Sequence, residues 1–137
     1  MSESKVVVVT GVSSGIGRIT AEKFTKQGWR VFGTVRNLTK TQPFAGVELI
    51  EMDVRDEDSV KRGIQSIIDK AKRIDVLVNN AGGSLLGAME ETSIAEARKL
   101  FDTNLFGVLS TTKAVLPHMR DQRSGRIINV SSVLGFL

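Results

Sequence analysis

Five short apolar runs recur along the chain, each separated from the next by a longer stretch of mixed character. They occupy Lys5 to Thr10, Trp29 to Val35, Val47 to Met52, Ile74 to Val78 and Gly125 to Val130, and the first holds four consecutive valines, Val6 to Val9. An apolar run bounded by turn residues predicts a strand covered on both faces, as in a parallel sheet. The stretches between follow another rhythm. Ile16, Ile19, Ala21 and Phe24 fall on a helix ending near Gln27, where Gly28 supplies the left-handed residue common past a helix end. Val60, Ile64, Ile67, Ile68 and Ala71 define a second amphipathic helix, opened by the negative charges of Asp56, Glu57 and Asp58. Ser93 and Glu96 make a capping box for a long third helix that runs to about Met119, near Pro117. Strands alternating with helices predict an α/β fold, a doubly wound parallel sheet between two helical layers.

The third helix is unusual. Leu100, Phe101, Leu105, Phe106, Val108, Leu109, Ala114, Val115 and Leu116 cover most of its circumference. A helix apolar on nearly all sides is buried on two. The sheet takes one side and a second subunit is expected on the other, which predicts a homo-oligomer joined through residues 93–119. Asn104 is the polar exception, and a buried asparagine there needs hydrogen-bond partners. Pattern alone leaves its role open between structure and function. Gly33, inside the second strand, predicts a close approach to the backbone.

Composition narrows the class. The 137 residues are 41% hydrophobic and 25% charged, which suits one globular domain spanning 1–137. Cysteine is absent, so disulfides and thiolate metal sites are excluded and no metal is expected. Met1-Ser2-Glu3-Ser4-Lys5 lacks an apolar signal core, and Val6 to Val9 is too short to span a bilayer, so a cytoplasmic protein without membrane contact is expected. The net charge of +4 raises nucleic acid as a partner. Lys70, Lys72 and Arg73 cluster at a helix end, however, and no aromatic platform interleaves the basic residues. No nucleic-acid partner is expected.

The candidate chemistry lies where strands end. Thr10-Gly11-Val12-Ser13-Ser14-Gly15-Ile16-Gly17 joins the first strand to the first helix. The first amides of a helix have no carbonyl partners, and the dipole adds partial positive charge, so a phosphate is welcome there if side chains stay clear. Gly11, Gly15 and Gly17 clear them. A P-loop would need Gly-Lys-Ser/Thr, and Arg18 and Ile19 follow the last glycine instead. Arg36 ends the second strand, at the place where dinucleotide folds select their cofactor. A guanidinium pairs with a 2′-phosphate where a carboxylate would bond a ribose hydroxyl, so Arg36 argues for NADP over NAD. A solvated arginine beginning a loop is the alternative. Asn79-Asn80-Ala81-Gly82-Gly83 ends the fourth strand, and Ser131 and Ser132 end the fifth. Both stretches suit the ligand-binding edge of an open sheet, and both also suit plain turns.

Taken in order, these segments strongly resemble the short-chain dehydrogenase/reductase family across essentially the whole chain. The carriers are Thr10 to Gly17, Asp53-Val54, Asn79 to Gly82, Asn104 within Phe101 to Gly107, and Gly125 to Ser132. The resemblance implies a Rossmann-type sheet of strand order 3-2-1-4-5 and hydride transfer between NADP(H) and a small carbonyl or alcohol substrate. It also implies roles. Gly11, Gly15 and Gly17 form the pyrophosphate turn, lined by Ser13, Ser14 and Ile16. Arg36 holds the adenosine phosphate, Asp53 and Val54 the adenine, and Asn80, Ala81 and Gly82 the ribose side. Ser132 matches the substrate-orienting serine, and Asn104 the asparagine of the proton relay.

One departure is large. The family's acid/base tyrosine and its partner lysine stand in a Tyr-x-x-x-Lys motif beyond the serine, and this chain contains no tyrosine. Lys113 and His118 stand elsewhere and do not replace it. Free tyrosine has a pKa of about 10, which the family lowers toward working pH. Loss of a positioned general acid costs on the order of 10²–10⁴ in rate. The fifth strand also reads as an interior strand left as a bare edge. The expectation is therefore a chain truncated after strand five, the amino-terminal part of an NADP-dependent dehydrogenase. The alternative is a catalytically silent NADP-binding or assembly module.

Overall fold

The computed structural model describes residues 3–136. Five parallel strands form one sheet: β1 (Val6–Thr10), β2 (Arg30–Val35), β3 (Glu48–Glu51), β4 (Val76–Asn79) and β5 (Arg126–Asn129). Their spatial order is β3-β2-β1-β4-β5, as the resemblance implied. β1 is central, and Val8 stands level with Phe32 of β2 and Leu77 of β4. The helices are α1 (Gly15–Lys26), α2 (Glu57–Ala71), α3 (Ile94–Phe101) and α4 (Gly107–Gln122), with short 3-10 turns in three of the loops.

The valine run is continuous because both faces of β1 are covered. Successive strand residues point to opposite faces. Val6 and Val8 join Phe32, Ile50 and Leu77 against Ile64 and Ile67 of α2 and Val115 and Met119 of α4. Val7 and Val9 join Val31, Val35, Val76 and Val78 against Ala21 of α1, with Phe24 and Trp29 alongside. These are the expected three layers. Gly33 marks a close approach, since a side chain there would meet Val12 and Val47.

The long third helix departs from expectation in one way. It is not one regular helix, because Asp102–Phe106 forms a π turn between α3 and α4. The Ser93–Glu96 capping box opens it as predicted, and α4 continues through Pro117 to Gln122. Within the one chain, the sheet side is packed and the side expected to meet a second subunit is open. Gly107, Thr111, Val115 and Met119, spaced by four, face the core, while Phe101 (55% exposed), Phe106 (56%) and Leu109 (50%) face outward. β5 pairs with β4 alone among the described residues, so Ile127 packs on the core while Ile128 and Val130 are exposed.

The chain start is tied down electrostatically. Asp75 accepts a 2.7 Å hydrogen bond from the Val6 N–H and pairs through both oxygens with the Arg73 guanidinium. Burial alone would raise the Asp75 pKa, but Arg73 and the Val6 amide outweigh it and hold the carboxyl below its usual range. Because the folded value is the lower one, this stabilisation is complete above the ordinary carboxylate range and is lost as pH falls through the folded value. Asp75→Ala is expected to cost about 1.5–3 kcal/mol near neutral pH, read from urea unfolding, and the gap from the parent should narrow in acid.

Candidate functional site

The site lies along the carboxyl ends of β1, β2 and β4, where the sequence places its turns. Gly11 and Gly15 adopt positive φ angles of 71° and 60°. Thr34 O accepts from both Gly11 N–H and Val12 N–H at 3.1 Å, which fixes the turn to β2. Thr10 and Asn80 fix it to β4. The Thr10 hydroxyl accepts from the amides of Asn80 (3.0 Å) and Ala81 (2.9 Å), and the Asn80 side chain donates to Thr10 O and Gly11 O, each at 3.0 Å. Gly17 is buried in this junction, where a Cβ would collide with Gly11 O and the Asn80 amide. A Cβ on Gly11 would lie 2.9 Å from Ala81 Cα. Gly15 has open space around it, so its need for glycine is conformational.

With the turn held this way, the start of α1 is left bare. Ser14 is the N-cap but its side chain makes no capping bond. Among the described residues, the N–H groups from Ser13 through Gly17 have no acceptor. Ser13, Ser14 and Ile16 border a cleft of about 500 Å³ that runs from the glycine turn, past Thr34 and Val35, to Arg36, Met52 and Val54. No carboxylate lines it, and Arg36 is exposed at its end without an ion-pair partner among the described residues.

A second cleft, of about 540 Å³, continues from the first, sharing Ile16 and Asn80 to Gly83. Asn104, Val108, Val130, Ser131 and Ser132 form its other wall. Asn104 is exposed, not buried as its apolar neighbours suggested, because α3 and the π turn contain no buried residue and Phe101, Leu105 and Phe106 are exposed with it. It is nevertheless held firmly. Its Oδ1 accepts from Gly83 N–H at 2.9 Å and its Nδ2 donates to Gly83 O at 2.8 Å. The Ser132 hydroxyl oxygen accepts from Leu134 N–H at 3.2 Å. Below them, the buried Asn79 donates to Thr112 Oγ1 and Asn129 Oδ1, tying β4 to α4 and β5.

Of the residues singled out in the sequence, Gly11, Ser13, Ser14, Ile16, Arg36, Val54, Asn80, Ala81 and Gly82 line the first cleft, and Asn104 and Ser132 the second. Gly15 and Gly17 line neither and act through the backbone. Asp53 lines neither as well; Arg55 bonds both its carboxylate oxygens and holds its pKa below the usual range. Gly83, from the flagged Asn79–Gly83 stretch, lines the first cleft too, and Thr34, Val35, Met52 and Thr103 line it without having been anticipated. Thr34 and Met52 each stand beside or near a flagged residue on a strand end; Thr103 carried no signal of its own.

The model of the short chain dehydrogenase family matches residues 5–137. The 3-ketodihydrosphingosine reductase of Bacteroides thetaiotaomicron is 40% identical over 98% of this chain and 49% of its own length. A short-chain dehydrogenase structure from Streptomyces avermitilis superposes with a TM-score of 0.90 at 37% identity, covering 100% of this chain and 52% of that one. ElxO, solved with NADP bound, gives 0.89 at 34% identity, over 98% of this chain and 58% of its own. The chain thus spans about half the length of these relatives. Its match to the family model, its strand order and its glycine turn agree: the chain belongs to the short-chain dehydrogenase family.

Proposed function

We propose that this chain holds NADP(H), and that its parent activity is reversible hydride transfer between that cofactor and a small carbonyl or alcohol substrate. The observation that carries the reading is a single cleft with unsatisfied helix-start amides at one end and an unpaired guanidinium at the other. The residues fit the group. Glycine at 11 and 17 lets the turn pack directly against Ala81 and Asn80, and the backbone of Ser13, Ser14 and Ile16 is then the surface offered to a diphosphate. Arg36 suits the 2′-phosphate by charge and by its planar donors. The NADP and NADPH found in structural neighbours support this choice.

The remaining roles follow from position. Ser13, Ser14 and Ile16 line the diphosphate turn, with Gly15 setting its conformation. Met52 and Val54 wall the adenine side, and Asp53 acts there through the Asp53–Arg55 pair. Asn80, Ala81 and Gly82 carry the groove toward the second cleft, where the nicotinamide and substrate meet. When bound, the cofactor supplies a hydride. The Ser132 hydroxyl donates to the substrate oxygen and orients it. Asn104, by clamping Gly83, keeps the floor of that cleft in place. A ketone accepting hydride also needs an acid for its oxygen. Ser132 and Asn104 are poor acids, and the 137 residues contain no tyrosine. We therefore assign this chain cofactor binding without turnover of its own. The outward apolar face of α3 and α4 is assigned to contact with a second copy, given exposed Phe101, Phe106 and Leu109 on one surface.

Titration of NADPH into the chain, followed by nicotinamide fluorescence, is expected to show saturable binding with no oxidation by a panel of ketones. Absence of binding overturns the cofactor assignment; oxidation overturns the silent one. Arg36→Ala should weaken NADPH about 10–100-fold, the equivalent of one charged hydrogen-bonded contact, while NADH binding changes by less than about twofold. Equal losses for both cofactors would remove Arg36 from phosphate recognition. Sedimentation should show a dimer or larger species that Leu109→Glu dissociates, and a monomer at all concentrations would reject the interface.

A further inference from the structure

Two side chains that wall the first cleft, Met52 and Val54, stand with their backs to glycines on helices outside it. Gly63 of α2 faces Met52, and Gly107, the first residue of α4, faces Val54. Gly107 has φ −62° and ψ −39°, ordinary helical values that any residue adopts. Backbone conformation therefore does not call for glycine here, and helix propensity argues against it. Space is the reason. A Cβ on Gly107 would lie 2.7 Å from Val54 Cγ2, 3.0 Å from Val54 Cβ and 3.2 Å from Asp102 O. The Gly107 carbonyl also accepts the buried Thr111 hydroxyl at 2.9 Å, which holds this turn of the helix in place.

The two glycines differ in what could yield to a methyl group. A Cβ on Gly63 would meet Met52 at Sδ (2.8 Å) and Cγ (3.0 Å), and an unbranched thioether can re-route along its flexible chain. Val54 is β-branched, stiff at χ1 and only 7% exposed. It borders open space in two directions, the first cleft and a smaller groove beside Phe106 and Leu109. Displacement one way fills the cleft; displacement the other way withdraws its wall.

We infer that Gly107 is a positioning residue for nucleotide binding: lacking a side chain, it lets α4 seat against Val54 so that Val54 forms the adenine-side wall. The same close seating ends the π turn that carries Thr103 to the first cleft and Asn104 to the second. Neither Gly107 nor any atom of its helix lines the first cleft, so its effect passes entirely through Val54 and the turn. This role rests on the NADP(H) reading above.

Calorimetric titration of NADPH and of adenosine 2′,5′-bisphosphate, which lacks the nicotinamide half, tests it on the 137-residue chain. Gly107→Ala should weaken both ligands by the same factor, about tenfold or more, without lowering the thermal midpoint in proportion. Gly63→Ala should cost less than about threefold, because Met52 can move. Adding Val54→Ala to Gly107→Ala removes the colliding atoms and should restore binding to that of Val54→Ala alone. Should Gly107→Ala not fold, the double variant decides: binding like Val54→Ala supports the role, and failure to fold or bind overturns it. Unchanged binding in Gly107→Ala, or a loss that persists in the double variant, also overturns it. A parent chain that binds neither ligand overturns the nucleotide reading itself, and this role falls with it.

Discussion

A helix cannot satisfy its own first amides, and this molecule is built to leave those of α1 unsatisfied. The N–H groups of Ser13 to Gly17 have no acceptor among the described residues, and the Ser14 side chain does not cap them. Unpaired donors of this kind are tolerable at a water-filled cleft and costly when buried. Every bond around the turn keeps them at the cleft. Thr34 O takes the amides of Gly11 and Val12, and the Thr10 hydroxyl takes those of Asn80 and Ala81. Asn80 returns two bonds to the turn's own carbonyls. Of the donors left over, those of Ser13, Ser14 and Ile16 belong to residues that line the groove.

The sheet sets where that groove runs. β1 is central and covered on both faces, so its carboxyl end is the one place where the chain can leave without disturbing packing. Neighbouring β2 and β4 end beside it, which brings Arg36 to one side of the turn and Asn80 to the other. Glycine performs three separate tasks in this arrangement. Gly15 supplies a conformation, Gly17 permits close approach of turn and Asn80, and Gly107 leaves room for the side chain of Val54. The π turn adds a fourth device, carrying Asn104, whose side chain bonds the Gly83 backbone. π turns are found mostly as single-turn insertions within α-helices, often at functional sites.

Most of the fold was legible because it follows from two periodicities. Both-face burial of a parallel sheet is written in Val6 to Val9, and helix spacing in Val60 to Ala71, so the α/β class followed from their alternation, while the strand order followed from the family resemblance. The π turn was not legible, since one extra residue per turn leaves no mark on an apolar pattern as dense as Leu100 to Leu109. That is also why Asn104 was expected to be buried. The open face of α3 and α4 and the exposed side of β5 could be read as apolar, but an apolar pattern does not name what packs against it. In the site, glycines and strand ends announced the turn, Arg36 and the Asn80 loop. Thr34, Met52 and Thr103 reach the cleft through register and packing, and such placements are not encoded locally. The engagement of Asp53 by Arg55, two residues away, likewise depends on loop geometry.

Backbone amides at the glycine turn are the quantity on which the account stands, and they can be observed directly. Two-dimensional ¹H–¹⁵N NMR of the chain, recorded as NADPH is added, resolves each of them. The largest shifts are expected on Ser13 to Gly17, with Arg36 following at the far end of the cleft, while the exposed Lys61, Arg62, Gln65 and Asp69 of α2 stay in place. Turn amides that do not move while shifts appear elsewhere would contradict the account.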